Sequence, residues 1–183
     1  MTASRGSLEA KMAYHFFRVS KLSGAKLRQF NLDFSVGVGG FNHDDDVRLV
    51  QTFLHIVYFE PTSEENRAQF PPLPDIDDVK VDGICGPITK RYIQHFKDNE
   101  REQGLQLHPD AVMDPFRDND PFSVGTISKT RYAFGVLHNV AGNLQNESGG
   151  TNMVVNLLED ERTDPKLKSA LRATRKQARQ YAR

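Results

Sequence analysis

One histidine followed by three aspartates, at 43–46, forms a run of side chains that could bind a metal ion. A hard cation needs several oxygen ligands arranged around one point, but consecutive residues at the start of a helix point in different directions. The sequence also lacks the Asp-x-Asp-x-Asp-Gly loop with a distant glutamate that would form a calcium site. Aspartates suit the positive end of a helix dipole. The run therefore predicts a helix start, and we expect neither a metal nor another cofactor.

Other residue types that can do chemistry occur outside catalytic patterns. The glycine-rich stretch 37–40 lacks both the third glycine of a dinucleotide fingerprint and the Lys-Ser/Thr of a phosphate loop. Cys85 precedes His95 by ten residues, but it stands in a turn between Ile84 and Gly86, and we expect it to pack there instead of acting as a nucleophile. No His-Glu-x-x-His zinc motif occurs, and no pair of carboxylates stands out as that of a glycosidase. We therefore expect no enzymatic activity. The six histidines are scattered: His15, His43, His55, His95, His108 and His138.

The N-terminal part predicts two strands and a bend. Residues 12–19 are rich in aromatic and β-branched side chains, and residues 26–36 alternate in polarity. The glycines of 37–40 predict a flexible bend, since glycine tolerates positive φ. The apolar side of the second strand is expected to consist of Leu27, Phe30, Leu32 and Phe34.

The segment 42–58 predicts a helix that is buried on most sides. Asn42, Asp44 or Asp45 can cap it by accepting from free backbone N–H groups. An apolar stripe with apolar flanks leaves only a narrow polar strip on its surface. The stripe is Val47, Val50, Leu54 and Val57, the flanks are Leu49, Phe53 and Ile56, and the polar strip is Arg48, Thr52 and His55.

A second helix is predicted after a proline-rich interruption. Residues 59–80 contain four prolines among acidic and polar residues, which predicts a surface loop or insertion. Gly86 and Pro87 then start a helix, because the missing N–H of proline costs nothing at the first helical position. Polar residues at 98–109 are expected to end it. Its inward face is predicted as Thr89, Tyr92, Ile93 and Phe96.

Further elements follow towards the C-terminus. Residues 112–115 predict a short extended piece, and 126–141 predict a third helix that Gly142 stops. Residues 153–158 are ambiguous between a strand and a short helix; we favour a strand, paired with 12–36 in one sheet. Asp164 as cap and Pro165 at the first position predict a last helix. The inward residues are expected to be Ile127, Phe134, Leu137 and Ala141 in the third helix, and Leu167, Ala170, Leu171, Thr174, Ala178 and Tyr181 in the last.

The charges are unevenly distributed, although the formal net charge is zero. Residues 165–183 contain seven basic and no acidic residues, which leaves 17 basic and 24 acidic residues in the remainder, a net charge of −7. Such a tail can bind an acidic protein partner, or it can dock on its own acidic body. Nucleic acid and deep membrane insertion are not expected, and no apolar run of about 20 residues that could span a membrane occurs.

Two segments carry the main functional clue. The first helix has Asp-Val and Val-Gln pairs, and the second opens with Asp-Gly-x-x-Gly-Pro-x-Thr and ends with Ile-x-x-Phe. Together they resemble the peptidoglycan-binding-like domain family, a small three-helix module of bacterial cell-wall proteins. The chain departs from the family at Tyr92, Lys97 and Ala111, where a small residue, Gln and Gly are usual. The matching residues are Asp46, Val47, Val50, Gln51, Leu54, Asp82, Gly83, Gly86, Pro87, Thr89, Ile93 and Phe96, followed by 110–115 and Thr126.

The resemblance implies a mainly α fold, with a three-helix core, a small flanking β element and a C-terminal helix. It divides the chain into a strand-rich extension at 1–34, the module at 35–143 and an extension with the basic helix at 144–183. The matching residues mostly cap, turn or pack, so they indicate the fold more strongly than glycan binding.

The resemblance also implies a non-catalytic protein that binds the glycan or stem peptide of peptidoglycan near the second helix. The alternative is a structural or protein-interaction subunit that uses the module as a scaffold, in a secretion apparatus or a phage-like particle. No signal peptide pattern begins the sequence, so we expect cytoplasmic synthesis and any delivery to the cell envelope by a non-standard route. The predicted polar contacts are Asp82, Thr89, Arg91, Gln94 and His95, with Tyr92 as a stacking face.

Overall fold

The computed structural model describes residues 12–19, 24, 26–61, 63–76, 78–147 and 157–178. The elements of the described part follow one another along the chain as short strands and longer helices. They are β1 (Tyr14–Val19), β2 (Lys26–Asn31), β3 (Val36–Gly37), α1 (Asp44–Phe59), α2 (Glu64–Gln69), α3 (Pro87–Glu102), β4 (Val112–Met113), a 3-10 turn (Arg117–Asn119), α4 (Ala133–Glu147) and α5 (Pro165–Ala178).

The described part is a mixed α/β fold with five α-helices and two small antiparallel sheets. The predicted mainly α fold with a three-helix core is therefore wrong. Two features account for the difference. The short ladder of β3 with β4 joins the chain before α1 to the chain after α3, and two-residue strands have no periodicity that a sequence could reveal. The long loop after α1 contains the additional helix α2.

The N-terminal hairpin packs against the C-terminal helix. β1 and β2 pair antiparallel, from Tyr14 opposite Asn31 to Val19 opposite Lys26. His15 Nδ1 donates to the backbone carbonyl of Leu171 in α5 at 3.0 Å. The predicted partner strand 153–158 lies outside the described residues up to 156, and its last two residues form a turn. In the described part, α5 therefore covers the hairpin.

The start of α1 differs from the predicted cap. His43 stands at the N-cap position without a side-chain hydrogen bond to the helix. Asn42, at φ 55°, accepts from the Gly37 N–H at 2.7 Å and donates to the Gly40 carbonyl at 2.8 Å. Its amide therefore stabilises the glycine bend instead of capping the helix. The predicted apolar stripe of α1 is confirmed, because all four of its residues are buried.

The other helices confirm some boundaries and correct others. α3 begins at Pro87 as predicted. α4 begins at 133 and not at 126, because Val124 and Arg131 form a β-bridge around an intervening turn. Ile127 is therefore 95% exposed instead of inward, and Gly142 lies inside the helix instead of stopping it.

The start of α5 agrees with its prediction. Asp164 accepts from the Leu167 N–H at 2.9 Å, and Leu167, Ala170 and Leu171 are buried. The side chains of Thr174 and Ala178, and the whole of Tyr181, lie outside the described residues.

In the described part, one hydrophobic core joins the hairpin, α1, α3, α4 and α5. At its centre the Phe53 ring packs edge-on against Phe134 at 5.4 Å and lies 6.3 Å from Phe30. His138 is buried in this aromatic cluster, and its Nε2 accepts from the Phe30 N–H at 3.3 Å. None of the helices in the described part combines the length and the apolar character needed to cross a bilayer.

Candidate functional site

A buried polar network fixes the turn that precedes α3. The Gln51 amide oxygen accepts from the Asp82 and Gly83 N–H groups at 3.1 and 2.9 Å, and its nitrogen donates to the Asp82 carboxylate at 2.9 Å. The same nitrogen lies 3.1 Å from the Thr89 hydroxyl. The guanidinium of Arg48 donates to the Asp82 carbonyl at 2.6 Å. Two residues of α1 therefore determine the position of the turn.

The turn also requires its own two residues. Gly83 adopts φ 80°, and a side chain there would collide with the Asp44 carboxylate. The Asp82 carboxylate accepts from the Ile84 N–H at 2.9 Å. Desolvation raises the pKa of Asp82, but the hydrogen bonds from Ile84 and Gln51 and the charge of Arg48 outweigh it and hold the pKa below its usual value. Asp82 is therefore a charged turn residue whose carboxylate already has partners.

The long loop after α1 crosses α3 and bonds to the side chains that were predicted to bind a ligand. Arg91 makes a bidentate pair with Asp75, with both distances 3.0 Å. His95 donates from Nε2 to the Pro71 carbonyl at 2.9 Å. The Tyr92 hydroxyl accepts from the Leu73 N–H at 3.1 Å. The loop therefore uses the hydrogen-bonding capacity of this face of α3.

The interpretation of Tyr92 as an exposed stacking face is wrong. Its side chain is 0% exposed, and its ring packs on Tyr58 at 5.0 Å, because Tyr92 belongs to the inward stripe of α3. Thr89 is buried as well, so its hydroxyl serves the turn. Asp82 and Arg91 are exposed, and Gln94 and His95 are half-buried. Ligand contact at these four stays a prediction from the sequence alone, and in the structure Arg91 and His95 already bond to the loop. The structure does not bring the six residues together around one open groove.

An exposed apolar surface lies beside the turn, where sequence reasoning did not place a site. It consists of Val38 and Phe41 before α1, and Ile84 and Ile88 at the start of α3. The strand β3 at the base of the first segment contacts α3, so the two segments adjoin. The Phe41 ring stacks on Phe34 at 4.4 Å. The exposed fractions are 57% for Val38, 69% for Phe41, 68% for Ile84 and 47% for Ile88.

This apolar surface is held by rigid neighbours. The turn below Ile84 is anchored by Gln51, and the bend below Val38 is held by the Asn42 amide. Burial raises the pKa of the Cys85 thiol between the two segments, which agrees with a packing role for the cysteine. The signal that could have located this surface is the presence of isoleucines on both sides of the Cys85–Pro87 turn.

A second feature that sequence reasoning missed is the anchor at Lys97. This lysine is 2% exposed, and its ammonium donates to the Asp110 carboxylate and, at 2.8 Å, to the Val112 carbonyl. Desolvation raises the pKa of Asp110, but the hydrogen bond and charge of Lys97 outweigh it and hold the pKa below its usual value. Lys97 thus ties the chain at β4 to α3. The sequence signal for this anchor was that Lys97 stands where the peptidoglycan-binding-like family usually has Gln.

Comparisons of the chain with protein-family models, with curated proteins and with solved structures found no match. The likeness to the peptidoglycan-binding-like family therefore stays a prediction from the sequence motifs. Among the described residues, no three histidine, cysteine, aspartate or glutamate side chains gather closely enough to hold a metal ion. The arrangement around the turn can bind a ligand by apolar contact at Phe41 and Ile84, with the Asp82 carboxylate at its edge.

Proposed function

We propose that the protein is a non-catalytic binding protein of the bacterial cell wall. In this proposal, the glycan or the stem peptide of peptidoglycan contacts the apolar surface of Val38, Phe41, Ile84 and Ile88. The observation that carries the proposal is the rigid turn at Asp82–Gly83, which presents exposed apolar side chains on a buried polar network. Exposed apolar side chains that are grouped together mark binding surfaces more often than scattered ones do.

The chemistry of the surface suits this ligand class. Peptidoglycan presents acetyl, lactyl and alanine methyl groups next to amides, and such groups pack on Phe and Ile side chains through their apolar parts. The Asp82 carboxylate beside them can accept from an amide N–H. Because Gln51 and Asn42 already order the backbone below, little conformational entropy is lost on binding. A shallow surface of this kind gives weak binding, which a polymeric wall compensates through many repeated sites.

An observation elsewhere favours a second candidate, a structural or protein-interaction subunit. The loop around the Val124–Arg131 bridge exposes Phe122, Val124 and Ile127 by 56, 48 and 95%. The basic helix α5 leaves Lys166 and Arg172 exposed while its apolar side packs on the body. A protein partner could use these features whether or not the wall is bound. In that case the apolar surface beside the turn would contribute nothing to retention on peptidoglycan.

Co-sedimentation with isolated peptidoglycan sacculi tests the proposal. We expect retention that persists when salt is raised from low to about 0.15 M, because apolar contact is not screened as charge pairs are. Phe41→Ser should reduce retention, and Ile127→Ser, which also removes an exposed apolar side chain, should not. Equal retention of both variants, or complete loss of wild-type retention with salt, would contradict the proposal. Lys166→Glu reverses one charge of the basic helix and tests whether that helix contributes to retention. Removal of α5 would instead expose the hydrophobic core.

A further inference from the structure

A pocket with charged walls lies beside α3, between the chain around β4 and the turn that precedes α4. Its volume is about 260 Å³. Because one water molecule takes about 30 Å³ of the liquid, the pocket has room for roughly eight or nine non-hydrogen atoms. That is the size of a small metabolite. The apolar surface beside the Asp82–Gly83 turn contributes none of the lining residues.

Three of the charged groups in the lining already satisfy one another. The Lys97 ammonium donates to one carboxylate oxygen of Asp110, and Nδ1 of His108 lies 2.8 Å from the other oxygen. Both oxygens of Asp110 therefore have partners within the protein. This cluster forms one side of the pocket, and we assign it no part in holding a ligand.

Arg131 is a cation of the lining that has no anion beside it. Its guanidinium lies 5.3 Å from the centre of the Phe122 ring, and stacking of this kind leaves the N–H groups at the edge free to donate. Within the part of the chain that the structure describes, its side chain makes no ion pair or hydrogen bond, and its charge acts on the buried Glu100 without direct contact. Nη2 is buried without a partner, whereas Nε and Nη1 keep contact with solvent. A partly desolvated guanidinium without an anion favours the binding of one.

Asp114 is the negative counterpart on another wall of the same pocket. It directly follows β4, it is exposed, and no described residue forms an ion pair or hydrogen bond with its carboxylate. Desolvation and the charge of Asp110 raise the pKa of Asp114, and the charges of Lys97 and His108 offset this only in part. A cation bound beside the Asp114 carboxylate would stabilise its charged form.

The wall that contains Arg131 is fixed before any ligand arrives. Arg131 forms a β-bridge with Val124, and the Gly125 N–H donates to the Thr130 carbonyl at 2.8 Å. The hydroxyls of Ser128 and Thr130 line the pocket as well and lie 2.8 Å apart. An ordered wall reduces the entropy that binding costs.

We infer that this pocket binds a small zwitterion of the α-amino acid class. The ligand carboxylate accepts from the solvent-facing N–H groups of Arg131, and the ligand ammonium donates to the Asp114 carboxylate. Two lysine or arginine side chains and two aspartates line the pocket, so its charge selects neither a simple anion nor a simple cation. A zwitterion matches the one cation and the one carboxylate that have no partner. This inference does not depend on the proposed wall binding.

The test is an NMR titration of the full chain at about 0.15 M ionic strength, where long-range attraction is screened. The probe is DL-alanine, so that both enantiomers are offered. Alaninamide keeps the ammonium but lacks the carboxylate, and N-acetylalanine keeps the carboxylate but lacks the ammonium. We expect saturable shifts of the Gly125, Ser128 and Thr130 amide signals with alanine. Each analogue should bind roughly tenfold more weakly or less, because it loses one charge-assisted hydrogen bond.

Variants of the two unpaired groups complete the test. Asp114→Asn should weaken alanine binding roughly tenfold and leave the binding of N-acetylalanine unchanged. Arg131→Gln should weaken alanine binding to a similar extent and leave that of alaninamide unchanged. The matched controls are Asp118→Asn and Arg117→Gln, which remove exposed charges outside the lining and should leave every affinity unchanged. Because Arg131 also stacks on Phe122, the exposed Asp114 provides the variant that does not depend on a packed partner.

Three results would overturn the inference. They are shifts that do not saturate with alanine, an analogue that binds as tightly as alanine, and an alanine affinity that Asp114→Asn leaves unchanged. Retention by sacculi is measured separately and involves none of these residues, so failure of the amino acid site and failure of the proposed wall binding are distinguishable.

Discussion

Two regions of the surface around α3 differ in whether their side chains have partners within the protein. On the outer face of the helix, Arg91 and His95 hydrogen bond to the loop at 71–75, which lies across them. At the start of the helix, Ile84 and Phe41 are more than two-thirds exposed above a turn that is fixed from below. From the sequence, the first region was predicted to bind a ligand. In the structure, its polar groups already have internal partners.

The difference indicates where binding energy can come from. A ligand at Arg91 must replace a bidentate pair with Asp75, so it gains little. A ligand at Ile84 removes apolar surface from water, which contributes about 25 cal/mol per Å² before the entropy cost of association is subtracted. The buried network below the turn contributes stability, whereas the side chains above it are available for contact. Substitutions in the network should therefore lower stability, and substitutions of the exposed side chains should lower binding.

The largest expected effect is the loss of the network below the turn. Gln51→Leu leaves the Asp82 and Gly83 N–H groups without their acceptor, and we expect the free energy of unfolding to fall by roughly 3–5 kcal/mol. Urea denaturation measures this change. The control is Gln94→Leu. In the described part of the chain this half-buried amide bonds only to Asp98, at 2.8 Å, so its loss should cost less than about 1 kcal/mol. Similar losses in both variants would mean that the turn is not held by Gln51.

A second expectation concerns two buried groups whose titrations oppose each other. Burial raises the pKa of Asp46 to about 7, despite N–H donors from Asp33 and Phe34, and burial lowers the pKa of His138 to about 4. Folded Asp46 binds more protons than the unfolded chain between pH 3.8 and 7, so its contribution to stability falls as pH rises. Folded His138 binds fewer protons between pH 4 and 6.5, so its contribution rises with pH.

The two slopes largely cancel in the wild type, and single variants should reveal each of them. Relative to the wild type, Asp46→Asn should make stability rise with pH between about 4 and 6.5, by up to about 1.4 kcal/mol per pH unit. His138→Gln should produce the opposite slope over the same interval. Urea denaturation at several pH values measures both. Parallel curves for the wild type and the two variants would show that neither group titrates differently on folding.

The sequence predicted the interiors of the helices better than their connections. The apolar stripe of α1 and the Pro87 and Pro165 helix starts follow from periodicity and proline chemistry, which are local. The start of α4 was missed because the Val124–Arg131 bridge is a contact that no local pattern reveals. The β3–β4 ladder was missed as a sheet for the same reason, although the extended piece at 112–115 was predicted.

The candidate site was predictable only in part. The motif around Asp82 correctly located the turn, because its glycine and Gln51 are required by the turn geometry. The polar face of α3 was over-interpreted, because the sequence does not show that the loop at 71–76 folds back onto it. Tyr92 illustrates the error, since one residue was assigned both to the inward stripe and to a ligand. The place of Phe41 beside the turn follows from its stacking on Phe34, a contact that the sequence pattern does not reveal.

The most direct measurement compares sacculus retention of Ile84→Ser and Arg91→Ala beside the wild type. Both residues are exposed, so neither change should alter the thermal unfolding midpoint measurably, and differences in retention then report on contact alone. The account predicts that Ile84→Ser loses most of the retained protein and that Arg91→Ala retains the wild-type amount. The opposite pattern, with retention lost only in Arg91→Ala, would place the contact on the outer face of α3 and contradict the account.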